Sequence, residues 1–261
     1  MRLKDPNPSD SFWIPGTERG LAEEEHWNHV MSLIGAQRVD CLVSQPSFRN
    51  ADYVWNDAKL VIELKNLNVE LADQPGFADK IVNVVEKSKT QEDADKAAGS
   101  IIRSYLKDII CTANKQIKET KRELGFSLYS GIVLIVNSGF ATLTFPAASK
   151  CFKSIINSRT QFSSVSGLIY VEDIDKPHSE QGMRDYMGLF GTHKMTVSTE
   201  ASMIMITKAW QMYLANPWLR GSEASSYAIG FEGSRDGSSH WRPSDVRAFL
   251  IKRASISGRF S

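Results

Sequence analysis

The chain has 261 residues, 42% of them hydrophobic and 23% charged, which is the make-up of an ordinary globular protein and excludes disordered, collagen-like and disulfide-scaffold classes. Lys plus Arg number 31 against 30 for Asp plus Glu, so the formal net charge is only +1 and any nucleic-acid or membrane surface has to be local. Cys41, Cys111 and Cys151 are widely spaced with no CxxC pair, no apolar run approaches the roughly 20 residues that cross a bilayer, and the start Met-Arg-Leu-Lys-Asp-Pro lacks an apolar signal region; a cytoplasmic protein is expected.

Residues 1–17, with Pro6, Pro8 and Pro15, read as an irregular arm. From Glu18 to about Ala36, Leu21, Trp27, Val30, Met31, Leu33 and Ile34 recur at helical spacing before Gly35, which predicts an amphipathic helix. Val39 to Val43 is a candidate strand. Ala-Asp-Tyr-Val-Trp and Leu-Val-Ile-Glu-Leu-Lys, on either side of a turn containing Asn56 and Asp57, predict a β-hairpin. Helices are predicted over Asp79 to Lys89 and from about Ala97 to Leu124, the second with Ile102, Leu106, Ile109, Ala113, Ile117 and Leu124 along one stripe and Gly125 as its stop. Gly131 to Val136 and Gly167 to Val171 are short β-branched runs of the kind buried on both faces, with a helix from Pro146 to about Asn157 between them, so the middle of the chain is α/β. After Asp173 the text is polar until an apolar helix from about Thr199 to Ala215. A Ser/Gly-rich stretch then leads to a last short helix opened by Pro243 and Ser244.

The hairpin carries the chemistry. With the turn centred between Asp57 and Ala58, Trp55 pairs with Leu60, Tyr53 with Ile62, and Asp52 with Glu63. Tyr53, Trp55, Leu60, Ile62 and Leu64 then share one face, and Asp52, Val54, Val61, Glu63 and Lys65 the other. Opposed side chains have Cβ atoms about 5 Å apart, so two carboxylates there repel unless a cation lies between them. Removing either acid is therefore expected to leave a folded, even slightly stabilised, metal-free protein. One Asp and one Glu, completed by water and substrate phosphate, are an ordinary way to hold Mg²⁺, and Lys65 points to the same place, where it can hold a water or steady charge developing on phosphorus. Phosphodiester hydrolysis is the chemistry implied.

Asp52, a ten-residue gap and then Glu63-Leu64-Lys65 in an apolar strand resemble the PD-(D/E)xK motif of the restriction-endonuclease-like nuclease superfamily, with Ala51 in place of the motif's proline. The resemblance covers residues 18 to 171, in the order helix, hairpin, helix, strand, helix, strand. It implies a mixed central sheet flanked by helices, and a metal, Mg²⁺ or Mn²⁺, held by Asp52 and Glu63 with Lys65 assisting catalysis. It also implies an acidic group on the first helix, for which Glu23 is chosen over Glu24 and Glu25 because it lies four residues before Trp27, and a supporting Gln116 within Ala113-Asn114-Lys115-Gln116-Ile117. The domain division expected is the arm 1–17, a nuclease-like core 18–175 and a mainly helical C-terminal elaboration 176–261.

Plainer readings stand beside these. An ExK in a strand also arises as a solvated edge of alternating charge, Glu23 to Glu25 as charge favoured at a helix start, and Gln116 as an exposed helix residue. His26 and His29 have a metal-ligand spacing but no third partner. Lys115, Lys118, Lys121 and Arg122 make either a solvated face or a phosphate-contacting one, and the methionine-rich run Ser202 to Tyr213 either core or interface. From Arg235 onward six basic residues face only Asp236 and Asp245, a second candidate phosphate surface. The function expected is a metal-dependent nuclease acting on DNA, in prokaryotic or phage genome defence, with a catalytically inactive nuclease-fold protein or an RNA nuclease as alternatives. Its partner is nucleic acid, with no membrane, and a homodimer is left open.

Overall fold

The computed structural model describes residues 24–43, 48–71, 75–140, 143–157, 162–172 and 186–215. Their elements run α1 (Glu24–Leu33), β1 (Gln37–Arg38), β2 (Tyr53–Trp55), β3 (Leu60–Leu67), α2 (Pro75–Lys87), α3 (Gln91–Glu123), β4 (Ser130–Asn137), α4 (Phe145–Ile156), β5 (Gly167–Glu172), β6 (Tyr186–Gly191) and α5 (Val197–Ala215). Six strands form one mixed sheet in chain order. β2 runs antiparallel to both β1 and β3; β3, β4 and β5 are parallel, and β6 returns antiparallel on β5. The fold is thus α/β, with five α-helices flanking the sheet among the described residues.

The hairpin has the expected register, Tyr53 opposite Ile62 and Trp55 opposite Leu60. Its four-residue loop bends because the Lys59 amide donates to the Asn56 carbonyl at 3.1 Å, and Lys59 takes the left-handed φ of 52° that closes such a loop. The Lys59 carbonyl then accepts from Ser130 N at 2.9 Å, which ties the turn to the start of β4.

The period-2 alternation of the strands divides the core in two. Tyr53, Trp55, Leu60, Ile62, Leu64, Leu134 and Ile169 face α1 and α5, where Trp27 stacks on Trp210 with ring centroids 4.4 Å apart. Val54, Val61, Val133, Ile135 and Leu168 face α3 and α4, meeting Leu106, Ile110, Ala113 and Ile117 of the first and Ala148, Phe152 and Ile155 of the second. The methionine-rich run lies in the first of these cores, with Met203, Ile206 and Trp210 fully buried.

Several elements differ from their sequence expectation. The strand expected over Val39 to Val43 is displaced: the extended residues are Gln37 and Arg38, and Val39–Cys41 is a 3-10 turn. α3 starts six residues before the expected start at Ala97, because Thr90 caps it by accepting from Asp93 N at 3.1 Å and polar residues complete its first turns. β6 has no β-branched residue and two glycines, so it lacked a strand signal. At Gly188 an added Cβ would lie 2.8 Å from the Phe190 ring, which would have to shift to make room for it. Within the stretch 176–261, β6 adds an edge strand to the sheet and α5 packs on α1 and β5. The arm 1–17, the Ser/Gly-rich stretch, the helix after Pro243 and the basic residues from Arg235 lie outside the described residues. No helix among the described residues is long and apolar enough to cross a membrane.

Candidate active site

Asp52 immediately precedes β2, and three backbone contacts set its position. Ala51 N donates to the fully buried Thr120 Oγ1 of α3 at 2.7 Å, Val39 N donates to the Asp52 carbonyl at 2.9 Å, and Leu64 N donates to Asp52 Oδ2 at 2.7 Å. The carboxylate therefore replaces the backbone as the next rung of the β2–β3 ladder and is locked opposite Glu63.

Glu63 lies in β3, which has a neighbour on each side, and its residue is only 1% exposed. This excludes the solvated-edge reading. Its Oε1 is 2.5 Å from Lys65 Nζ, whereas its buried Oε2 has no hydrogen-bond partner. A buried carboxyl that Lys65 satisfies at one oxygen, and that meets Asp52 by a side-chain hydrogen bond, is costly to keep ionised, and such groups collect at functional positions. Burial first, and then the charge of Asp52, push the Glu63 carboxyl up to about 8. Asp52 is raised as well, by burial chiefly, with the Leu64 N–H and Lys65 opposing.

Lys65 is held from the helix side. Its Nζ donates to Gln116 Oε1 at 2.9 Å, and Gln116 Nε2 donates to the Asn50 carbonyl at 3.2 Å, so Gln116 ties the lysine to the loop entering β2. The amide orientation follows from its partners, since a lysine can only donate and a carbonyl can only accept. The structure thus brings Asp52, Glu63, Lys65 and Gln116 together.

Glu23 lies outside the described residues. Its neighbour Glu24 approaches the site: its charge contributes to raising Asp52, and its Oε1 pairs with Arg38 Nη2 at 2.7 Å. Arg38 also reaches Asp40 at 3.0 Å, which in turn accepts from Asn50 Nδ2 at 2.6 Å. Sequence reasoning missed Thr120, Arg38, Asp40 and Asn50. Thr120 left one trace, a polar residue at a core-facing position of α3, and the other three left none.

The remaining candidates divide. His26 Nδ1 lies 2.6 Å from Tyr213 Oη and the His29 ring stacks on Tyr213, so both histidines engage α5. No group of three His, Cys, Asp or Glu side chains that could hold a metal occurs among the described residues. Two carboxylates still suit a magnesium ion, which commonly takes one or two protein carboxylates and fills its octahedron with water and phosphate. The orphaned Glu63 Oε2 is the oxygen such an ion would satisfy. Of the basic cluster, Lys115 and Lys118 are exposed, Arg122 pairs with Glu123 at 2.6 Å, and half-buried Lys121 is lowered by burial and then by Lys194.

Comparison with protein-family models, with curated proteins and with solved structures gives no match.

Proposed function

We propose that the protein is a metal-dependent nuclease that hydrolyses phosphodiester bonds, with DNA as its substrate, and that its fold is of the restriction-endonuclease-like kind. The observation that carries this reading is buried Glu63 paired with half-buried Asp52, with Lys65 beside them and one Glu63 carboxylate oxygen without a donor. The mixed sheet, the hairpin register and the order of elements support it.

Asp52 and Glu63 would hold the divalent ion, which when bound supplies positive charge to the scissile phosphate and lowers the pKa of a water. Lys65, steadied by Gln116, orients that water and balances charge developing on phosphorus. Glu24 and Arg38 shape the field at the mouth of the site.

Purified protein incubated with plasmid, linear duplex and single-stranded DNA, and with RNA, should cut DNA in Mg²⁺ or Mn²⁺ and lose all activity in EDTA. Undiminished cleavage in excess EDTA, or no cleavage of any substrate with either metal, removes the reading. Cleavage of RNA alone would keep the mechanism and change the substrate.

Lys65→Ala should lower turnover about 100-fold or more and change DNA affinity little, because a single cation adds little to many phosphate contacts but stands where charge develops. Single-turnover rates and binding measured side by side check this. A variant that cuts normally once bound would make Lys65 a docking group.

A further inference from the structure

α3 is 33 residues long, and only part of it serves the carboxylate site. Lys107 and Arg103 lie about two and a half and three and a half turns before Gln116, roughly 14 and 20 Å along the axis, and at 100° per residue they project from the opposite flank. There α3 meets α4 and a cleft of about 370 Å³ opens, lined by Ser100, Arg103, Ser104, Lys107, Ser154 and Ile155.

The polar atoms of this lining are suited to an oxyanion. Arg103 Nη1 and Nη2 point at the hydroxyls of Ser154 and Ser100 at 3.4 and 3.3 Å, long contacts to neutral acceptors that fix the guanidinium without neutralising it. Among the described residues neither Arg103 nor Lys107 pairs with a carboxylate; the ion pairs go to Arg38, Lys65, Lys96 and Arg122. A serine that accepts from arginine keeps its own O–H to donate, so Ser100 and Ser154, with Ser104 beside them in the lining, add donors to the two cations. Lys150, one turn before Ser154 on α4, adds positive charge near Cys151: burial raises the Cys151 thiol, and Arg103 and Lys150 both act to lower it. Among the described residues no aromatic ring lines the cleft, and its donors suit an anion more than a base.

We propose that the cleft between α3 and α4 is a phosphate-binding site, separate from the carboxylate pair, that takes a phosphate group through Arg103, Lys107 and the three serine hydroxyls. The group is presented either by a small phosphomonoester or by the terminal phosphate of a polynucleotide, which share this chemistry. The site is independent of the nuclease reading, because none of its residues touches Asp52, Glu63 or Lys65.

The test is calorimetric titration of inorganic phosphate into the full chain in EDTA, with chloride at matched ionic strength as control. Saturable one-to-one binding is expected, weakened about tenfold or more in Arg103→Gln and in Arg103→Gln/Lys107→Gln, as the loss of charge-assisted hydrogen bonds requires, and unchanged in Asp52→Asn. Arg103 is exposed and Lys107 half-buried, and neither lies in the core, so the variants should keep the circular dichroism spectrum of the wild type. Oligonucleotides with and without a 5′-phosphate identify the source: tighter binding of the phosphorylated strand, lost in Arg103→Gln, assigns a polynucleotide end, and equal binding assigns a small phosphomonoester. No saturable binding up to about 20 mM phosphate, or binding that survives both substitutions, overturns the proposal.

Discussion

In Mg²⁺, Asp52→Asn and Glu63→Gln are each expected to cut DNA at least about 10³-fold more slowly than the wild type, about 4 kcal/mol of lost transition-state stabilisation. These isosteres are preferred to alanine because of what the side chains hold. Asp52 Oδ2 accepts from Leu64 N, so Asp52→Ala leaves a buried N–H without a partner and costs about 1–3 kcal/mol. The sequence alone suggested the opposite sign for that variant, since only the repulsion with Glu63 was visible. An asparagine oxygen keeps the Leu64 bond, and a glutamine at 63 keeps an oxygen facing Lys65. Rates measured on folded variants with matched thermal stability decide the matter: wild-type turnover in both would sink the assignment of the site.

The second large effect is on stability as a function of pH. In the unfolded chain Glu63 loses its proton near the ordinary value of 4.5, whereas in the folded protein burial and Asp52 keep it protonated up to about 8. Between these values the folded state binds more protons, so in EDTA stability should fall steadily as pH rises through that window and level off above it. Asp52, also raised, contributes with the same sign. Thermal unfolding from pH 5 to 8.5 should show the wild-type Tm falling and Glu63→Gln falling much less. The proposed divalent ion would bind the ionised pair, so the Tm difference between Mg²⁺ and EDTA should widen towards pH 8. Parallel curves for wild type and Glu63→Gln would show that Glu63 titrates as an exposed carboxylate does.

The sequence by itself determined the elements whose period is local. The alternation around Asn56 and Asp57 set hairpin, register and faces, and so placed Glu63 and Lys65 on the side of Asp52, because a strand allows its side chains only two directions. The β-branched runs at Gly131 and Gly167 announced β4 and β5 for the same reason. Gln116 was suggested by the resemblance to the nuclease motif, with its place at the border of the α3 stripe allowing it to reach the site, and the structure bonds it to Lys65.

Tertiary structure decided what depends on neighbours distant in the chain. Glu63 reads as charged and solvent-facing until β2 and β4 close on either side of β3 and α3 covers that face. Only then does its carboxyl lose water, keep its proton and lack a partner for one oxygen. Thr120 became a site residue because its hydroxyl meets Ala51 N across 69 positions of sequence, and Glu24 because Arg38 draws it to the mouth of the site. β6 was decided in the same way: a glycine-containing edge strand has little propensity of its own and forms because β5 offers an unpaired row of backbone groups to satisfy.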